Sequence, residues 1–155
     1  MTRVHTDGAC RGNPGPGGWA WAAGPDRYAS GAAAHTTNQR MEVTAVIEAL
    51  KSNPGDVEVV SDSNYVVKCF HDRWYLGWRR RNWRNTQGKP VANRELWEEL
   101  LALALDDSRR VTFEWVAGHS GDPMNDFVDA LATRAADAQR GERSAPPAST
   151  TGSNH

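Results

Sequence analysis

Four carboxylate residues, spread over most of the chain, could hold a divalent cation: Asp7, Glu42, Asp62 and Asp129. Asp7 and Asp62 close β-patterned runs, so their side chains are expected at strand ends, where open α/β sheets place their ligands. Glu42 and Asp129 lie in helical patterns, against or beside the apolar face. An isolated carboxylate is costly to bury, and a nearby cation removes most of that cost. The four acids therefore predict a cation site.

The elements that must position these acids follow from the spacing of apolar and turn residues. A Gly/Pro-rich turn over Gly12–Gly18 separates two β-like stretches, and a second turn leads into a short strand over about Arg27–Ala34. The period then becomes helical from Gln39 to Lys51, with Asn38 able to cap the start. The later pattern predicts a strand over Val57–Ser61, helical stretches to about Leu105, a strand over Val111–Val116 and a helix over about Pro123–Arg140.

This order of elements predicts an α/β fold. It consists of a five-stranded mixed sheet, with antiparallel hairpin strands and parallel strands, flanked by helices on both faces. Glu42 shares a helical face with the apolar residues Ala45 and Val46. It is therefore expected to point toward the sheet ends that carry Asp7 and Asp62, so the acids can meet.

Length and composition predict one domain. The chain has 155 residues, of which 39% are hydrophobic and 24% charged, enough for a single core. Residues 142–155 contain no core-forming side chains and are expected to be a disordered tail. No apolar run approaches the roughly 20 residues of a membrane span, and no signal-peptide pattern opens the chain. We expect a cytoplasmic monomer that does not contact the membrane.

A basic segment between Arg73 and Arg94 contains no acid. Its basic residues are Arg73, Arg79, Arg80, Arg81, Arg84, Lys89 and Arg94, and the tryptophans in or beside it are Trp74, Trp78, Trp83 and Trp97. Trp74, Trp78 and Trp97 have helical spacing and could belong to the core. The run from Arg79 to Arg84 instead alternates charge with an aromatic ring, as surfaces that grip nucleic-acid phosphates and stack on bases do.

The chain resembles the type 1 ribonuclease H family over about residues 2–140. Four motifs carry the resemblance, in the family's order and each with one of the four acids: Thr6–Cys10 followed by Gly12–Gly18, Thr37–Glu42, Ser61–Val66, and Gly118–Gly121 with Asn125 and Asp129. Each motif alone is weak, whereas all four in order are specific. The resemblance implies a ribonuclease H-like catalytic domain over residues 1–141, with the family's basic protrusion at about residues 73–94.

The implied activity is hydrolysis of the RNA strand of an RNA–DNA hybrid, which leaves 5′-phosphate and 3′-hydroxyl ends and removes RNA primers and R-loops during replication. Two divalent ions roughly 3.5–4 Å apart can make the attacking water more acidic and stabilise the leaving alkoxide. Mg²⁺, with Mn²⁺ as a substitute, prefers such hard oxygen ligands. In this interpretation Asp7 is shared by both ions, Asp62 and Asp129 flank it, and Glu42 also reaches the ribose.

The resemblance implies further site residues. His119 matches the family's mobile loop histidine, which implies a role in proton transfer or in moving the product and metal. The minor groove of the hybrid would be contacted by Asn13, Asn38, Gln39 and Asn64. A DNA phosphate would be held by Thr37 and Asn93, near His35, which replaces an arginine of some members. The basic protrusion would bind through Trp78, Arg79, Arg80, Arg81, Trp83 and Arg84.

Two other functions fit parts of this pattern. A non-catalytic hybrid-binding module would keep the basic segment, but it would gain nothing from four acids facing phosphate. Another enzyme of the same fold, such as an integrase, transposase or junction resolvase, would need different flanking segments. The basic protrusion and the asparagine-rich groove residues favour recognition of a hybrid.

Overall fold

The computed structural model describes residues 1–145, which form five strands and five helices. The strands are β1 (Thr2–Cys10), β2 (Gly15–Gly24), β3 (Arg27–Thr36), β4 (Val57–Ser61) and β5 (Val111–Trp115). The helices are α1 (Asn38–Ser52), α2 (Asn64–His71), α3 (Trp74–Arg80), α4 (Arg94–Ala104) and α5 (Pro123–Ala138). No helix among these residues is long and apolar enough to cross a membrane.

The strands form one mixed sheet in the order β3-β2-β1-β4-β5. β1, β2 and β3 pair antiparallel, because tight turns join them as hairpins. β1, β4 and β5 run parallel, because helices make the connections between them. The predicted five-stranded mixed sheet, with antiparallel hairpin strands and parallel strands, is confirmed.

The two faces of the sheet carry separate hydrophobic clusters. On one face, α5 packs Val128 and Leu131 against Ala20 of β2. On the other face, a larger cluster joins α1, α2 and α4 to the sheet, and it includes the fully buried Leu50 and Trp97. Helices therefore cover both faces, as predicted, and the ends of the sheet are left to form a site.

Close packing of α1 on β1 brings two of the predicted site residues together. A Cβ atom at Gly8 would lie 2.5 Å from the backbone nitrogen of Glu42 and 2.6 Å from the carbonyl carbon of Met41. Only glycine allows this approach. Because Asp7 precedes Gly8 in the chain, the contact places the carboxylates of Asp7 and Glu42 side by side.

The structure corrects two local predictions near the site. Asp7 does not close a strand: β1 continues to Cys10, because its last residues still pair with β2. The parallel pairing of β1 with β4 does end beside Asp7, at the pair Thr6 and Ser61. The cap of α1 is Thr37 instead of Asn38, since the Thr37 side chain accepts a hydrogen bond from the backbone N–H of Arg40.

The end of the domain also differs from the prediction. α5 ends at Ala138, before the predicted Arg140, and Gln139 follows it in the left-handed conformation. Part of the predicted tail is ordered along β3: the Glu142 carbonyl accepts from Ser30 N–H, and Ser144 N–H donates to the Tyr28 carbonyl. Residues 146–155 of the predicted tail lie outside the described residues.

Candidate active site

Three of the four predicted acids form a tight cluster at the edge of the sheet. One side-chain oxygen from each of Asp7, Glu42 and Asp62 lies within 4.8 Å of the other two. Asp7 comes from the central strand, Glu42 from the first half of α1, and Asp62 from the residue just after β4. Asp7 and Glu42 are 4% and 6% exposed, whereas Asp62 is half-buried. The acids meet as predicted, and two of them are largely shielded from water.

Burial and mutual repulsion disfavour the charged form of this cluster. Burial first, and then the charge of Asp62, raise the pKa of Asp7 from 3.8 to about 8. A hydrogen bond from the Gly8 N–H to Asp7 Oδ1, at 2.9 Å, opposes this shift only in part. Burial and the charges of Asp7 and Asp62 also raise the pKa of Glu42 well above its usual range. The cluster therefore favours the binding of positive charge.

The chemistry of the cluster fits a hard divalent cation. All its donors are carboxylate oxygens, which Mg²⁺ and Mn²⁺ prefer. Within residues 1–145, the buried Oε1 of Glu42 has no hydrogen-bond partner. A buried polar atom without a partner is unusual in a native protein. A cation bound by Asp7, Glu42 and Asp62 would supply that partner and offset the repulsion.

The fourth acid, Asp129, lies beside the cluster but is not part of the trio. It is half-buried on α5, and its charge contributes to the raised pKa of Asp7. Asn125, one turn earlier on α5, is 2% exposed and donates from Nδ2 to Asp62 Oδ2 at 3.4 Å. Asn125 thus connects α5 to the acid that follows β4. It appeared in the sequence only as part of a motif, because its contact with Asp62 spans 63 residues.

A second polar contact joins the start of α5 to the central strand. The Asp122 carboxylate caps α5 by accepting from the backbone N–H groups of Met124 and Asn125. Its other oxygen lies 3.4 Å from Nε2 of the buried His5. Burial lowers the pKa of His5, which favours the neutral imidazole. His5 had no role in the sequence interpretation, since nothing local to it indicates that Asp122 is its neighbour.

His119 lies in the exposed loop between β5 and α5. Its backbone is left-handed, with φ of 56°, and Gly121 two residues later has φ of 91°. Ser120 Oγ donates to the Ala117 carbonyl at 2.6 Å and so closes a turn around His119. This loop leads directly into α5, the helix that carries Asp129. His119 is separate from the three-carboxylate cluster.

Predicted substrate contacts gather around the start of α1. The side-chain oxygen of Asn13, in the β1–β2 turn, accepts a hydrogen bond from Asn38 N–H at 2.8 Å. Asn13, Asn38 and Gln39 are all exposed, as is Asn64 at the start of α2. These amides share the end of the sheet that carries the acids.

The predicted phosphate-binding pair, Thr37 and Asn93, is joined by a residue that the sequence interpretation missed. Arg40 Nη1 donates to Asn93 Oδ1 at 3.2 Å, and Arg40 N–H donates to the Thr37 hydroxyl at 3.2 Å. Glu95 also binds this guanidinium. Arg40 lies inside the Thr37–Glu42 motif, and its charge there was the signal that could have identified it.

The basic protrusion is anchored by aromatic packing. Trp97 is fully buried and Trp78 is 9% exposed, and their ring centroids lie 5.4 Å apart. Trp83 is half-buried between the Trp78 ring and the Arg94 guanidinium. Trp78, predicted to contact substrate, therefore packs in the core and positions the protrusion.

The arginines of the protrusion divide into two groups. Arg81 Nε donates to the Arg84 carbonyl, and Arg84 Nη1 donates to the Gly88 carbonyl, so both side chains brace the loop after α3. All four arginines are exposed, and Arg79 and Arg80 lie at the end of α3, where the Arg79 guanidinium packs over the Tyr75 ring.

The raised pKa values predict how stability changes with pH in the metal-free protein. When folding raises the pKa of an acid, the protein loses stability as the pH rises from the pKa in the unfolded state to the pKa in the folded state. Asp7→Asn should therefore become increasingly more stable than the wild type between about pH 4 and pH 8. Even half of the Asp7 shift corresponds to about 3 kcal/mol. Urea unfolding in chelator measures this difference, with the exposed Asp126→Asn as the control, and a difference independent of pH would contradict the assignment.

Comparison with known proteins identifies the family. The RNase H family model matches residues 1–137. A ribonuclease H of Thermus thermophilus is 50% identical over 141 residues, which cover 88% of this chain and 84% of that protein. The ribonuclease H of Thiobacillus denitrificans is 48% identical over 136 residues, covering 84% and 90%.

Two solved structures are also similar. A crystal structure described as a type 1 RNase H with the type 2 active-site motif has a TM-score of 0.77 at 27% identity, covering 99% of this chain and 80% of that one. The N-terminal RNase H domain of a Mycobacterium tuberculosis protein has a TM-score of 0.66 at 27% identity, covering 90% and 96%. With its sheet, its acidic cluster and these matches, the chain belongs to the RNase H family of nucleases, which are hydrolases.

Proposed function

We propose that this protein is an endoribonuclease that hydrolyses the RNA strand of RNA–DNA hybrids and leaves 5′-phosphate and 3′-hydroxyl ends. The observation that carries the proposal is the cluster of Asp7, Glu42 and Asp62 beside Asp129. A pure binding module would gain nothing from repelling the phosphates of its ligand. The relatives named ribonuclease H, at about 50% identity, support the same reaction.

The four carboxylates would hold two Mg²⁺ ions, for which Mn²⁺ could substitute. When bound, such ions make a water molecule more acidic and stabilise the leaving oxygen of a phosphodiester. Asp7 is suited to be the shared ligand, because the charges of both Asp62 and Asp129 act on it. Asp62 and Asp129 would then flank it on either side.

Glu42 would read the sugar as well as contribute to the cation site. Its Oε1 lacks a hydrogen-bond partner within the described residues and can accept from a hydroxyl group. A 2′-hydroxyl is the group that distinguishes RNA from DNA. The residue that distinguishes RNA from DNA would then also belong to the cation site at which the RNA strand is cleaved.

His119 would move a proton or help the product and metal leave. An imidazole can donate or accept a proton near neutral pH. His119 lies in the exposed loop that joins β5 to α5. β5 is the strand next to β4, which Asp62 follows, and α5 carries Asp129. His119 would act from this exposed loop, and it would not be a permanent metal ligand.

Binding would use surfaces on both sides of the start of α1. Asn13, Asn38, Gln39 and Asn64 would contact the minor groove of the hybrid. Thr37, Asn93 and Arg40 would hold a DNA phosphate, and the basic protrusion would grip phosphates farther along. In the cell, a cytoplasmic monomer of this kind would remove RNA primers and R-loops during replication.

The reaction is tested with a labelled RNA–DNA hybrid and matched RNA and DNA duplexes, in Mg²⁺ and in chelator. Only the RNA strand of the hybrid should be cut, and only with metal. Asp7→Asn should lose at least about a thousandfold in rate and still bind the hybrid, because it removes the shared ligand. The exposed Asp126→Asn should cut like the wild type. Binding without cutting by the wild type would indicate a non-catalytic module, and cutting of the DNA duplex would indicate another nuclease of the fold.

The basic protrusion is tested through the salt dependence of binding. The double substitution Arg79→Ala with Arg80→Ala should weaken hybrid binding and reduce the slope of log Kd against log salt by about one for each lost phosphate contact. Arg134→Ala, on α5, with Arg140→Ala, two residues after the end of α5, removes the same charge from the side of the molecule where α5 packs on the opposite face of the sheet. An equal change of slope in both double variants would exclude a specific role for the protrusion.

A further inference from the structure

Trp115 is the last residue of β5 and is 45% exposed. It pairs with Ser61 across the parallel strands, so it lies beside the end of β4. Its indole Nε1 donates to the backbone carbonyl of Asp62 at 3.1 Å. This bond ties the ring to the backbone of the residue that supplies one of the clustered carboxylates.

The exposed ring has no packing role that explains its position. Within residues 1–145, Trp115 belongs to neither hydrophobic cluster, whereas Trp78 and Trp97 are buried in the larger one. Phe113, two residues earlier and on the same face of β5, stacks on Phe70 of α2. Trp115 projects from that same face beyond the ring pair, at the end of the sheet where the acids lie.

We infer that Trp115 is a substrate-contact residue whose indole packs on a sugar or base of the RNA strand beside the scissile phosphate; this rests on the proposed function. An aromatic ring stacks on any base, so the contact adds affinity without sequence preference. The hydrogen bond to Asp62 orients the ring before substrate arrives, which reduces the entropy lost on binding. Because Asp62 would hold metal at the cut strand, the ring beside it meets that strand.

Two substitutions of Trp115 distinguish stacking on the substrate from a role in positioning Asp62. The hydrogen bond to the Asp62 carbonyl could serve only to position that acid. Phenylalanine keeps an aromatic face but removes the N–H donor, whereas alanine removes both. A stacking contact is therefore retained in Trp115→Phe, and a role limited to the hydrogen bond is lost equally in both variants.

The test compares the wild type, Trp115→Ala and Trp115→Phe in two assays. Steady-state cleavage of the hybrid in Mg²⁺ should show KM raised about five- to tenfold in Trp115→Ala, with kcat within about twofold and Trp115→Phe near the wild type. Equilibrium binding to the same hybrid in chelator should show the same ratio of Kd values. Leu105→Ala is the control. Leu105 is also an exposed apolar residue, at 39%, but it precedes the start of β5, whereas Trp115 ends that strand. This substitution should change neither constant.

Three results would overturn the inference. The first is unchanged hybrid binding in Trp115→Ala. The second is an equal loss of kcat in Trp115→Ala and Trp115→Phe without a change in Kd. The third is an increase of KM and Kd in Leu105→Ala equal to that in Trp115→Ala. Failure of the wild type to cut the hybrid would contradict the proposed reaction, and the binding assay would still decide on Trp115. Unfolding temperatures within about 2 °C of the wild type confirm that the exposed substitutions leave the fold intact.

Discussion

The repulsion among buried carboxylates is the constraint on which the rest of this structure depends. Asp7 and Glu42 are almost fully buried within 4.8 Å of Asp62, an arrangement that opposes folding unless positive charge is present. The surrounding fold holds them in place. Gly8 lets α1 approach β1, and the parallel pairing of β1 and β4 ends where the acids begin. Hydrophobic clusters on both faces of the sheet supply the stability that this arrangement requires.

The rigid and the adaptable parts of the site come from different elements. The acids project from the sheet and from two packed helices, whereas His119 and the exposed amides lie on loops and helix starts. α5 is fixed to the rigid part at two points: Asn125 donates to Asp62, and Asp122 lies beside His5 of β1. The helix that carries Asp129 is therefore held against the strands that position Asp7 and Asp62.

Much of this architecture could be predicted from the sequence, because it depends on local pattern. Turn residues and apolar spacing predicted the hairpins, the helices and the meeting of the acids. Contacts between distant segments were not predictable in this way. The continued pairing of β1 with β2 placed Asp7 inside a strand, and core packing buried Trp78, for which the sequence left both a core role and a substrate role open. Arg40 was not singled out, because its hydrogen bond to Asn93 spans 53 residues.

If the buried acids are held for a cation, the ionisation of Asp7 must respond to Mg²⁺, and a carboxyl-detected NMR titration of Asp7 measures that response. In chelator, Asp7 should titrate far above its ordinary 3.8, toward a pKa of about 8, because burial and Asp62 disfavour its charge. Saturating Mg²⁺ should bring that pKa down by several units. If Asp7 titrates near its ordinary value in chelator and does not respond to Mg²⁺, the acidic cluster is not the strained cation site described above.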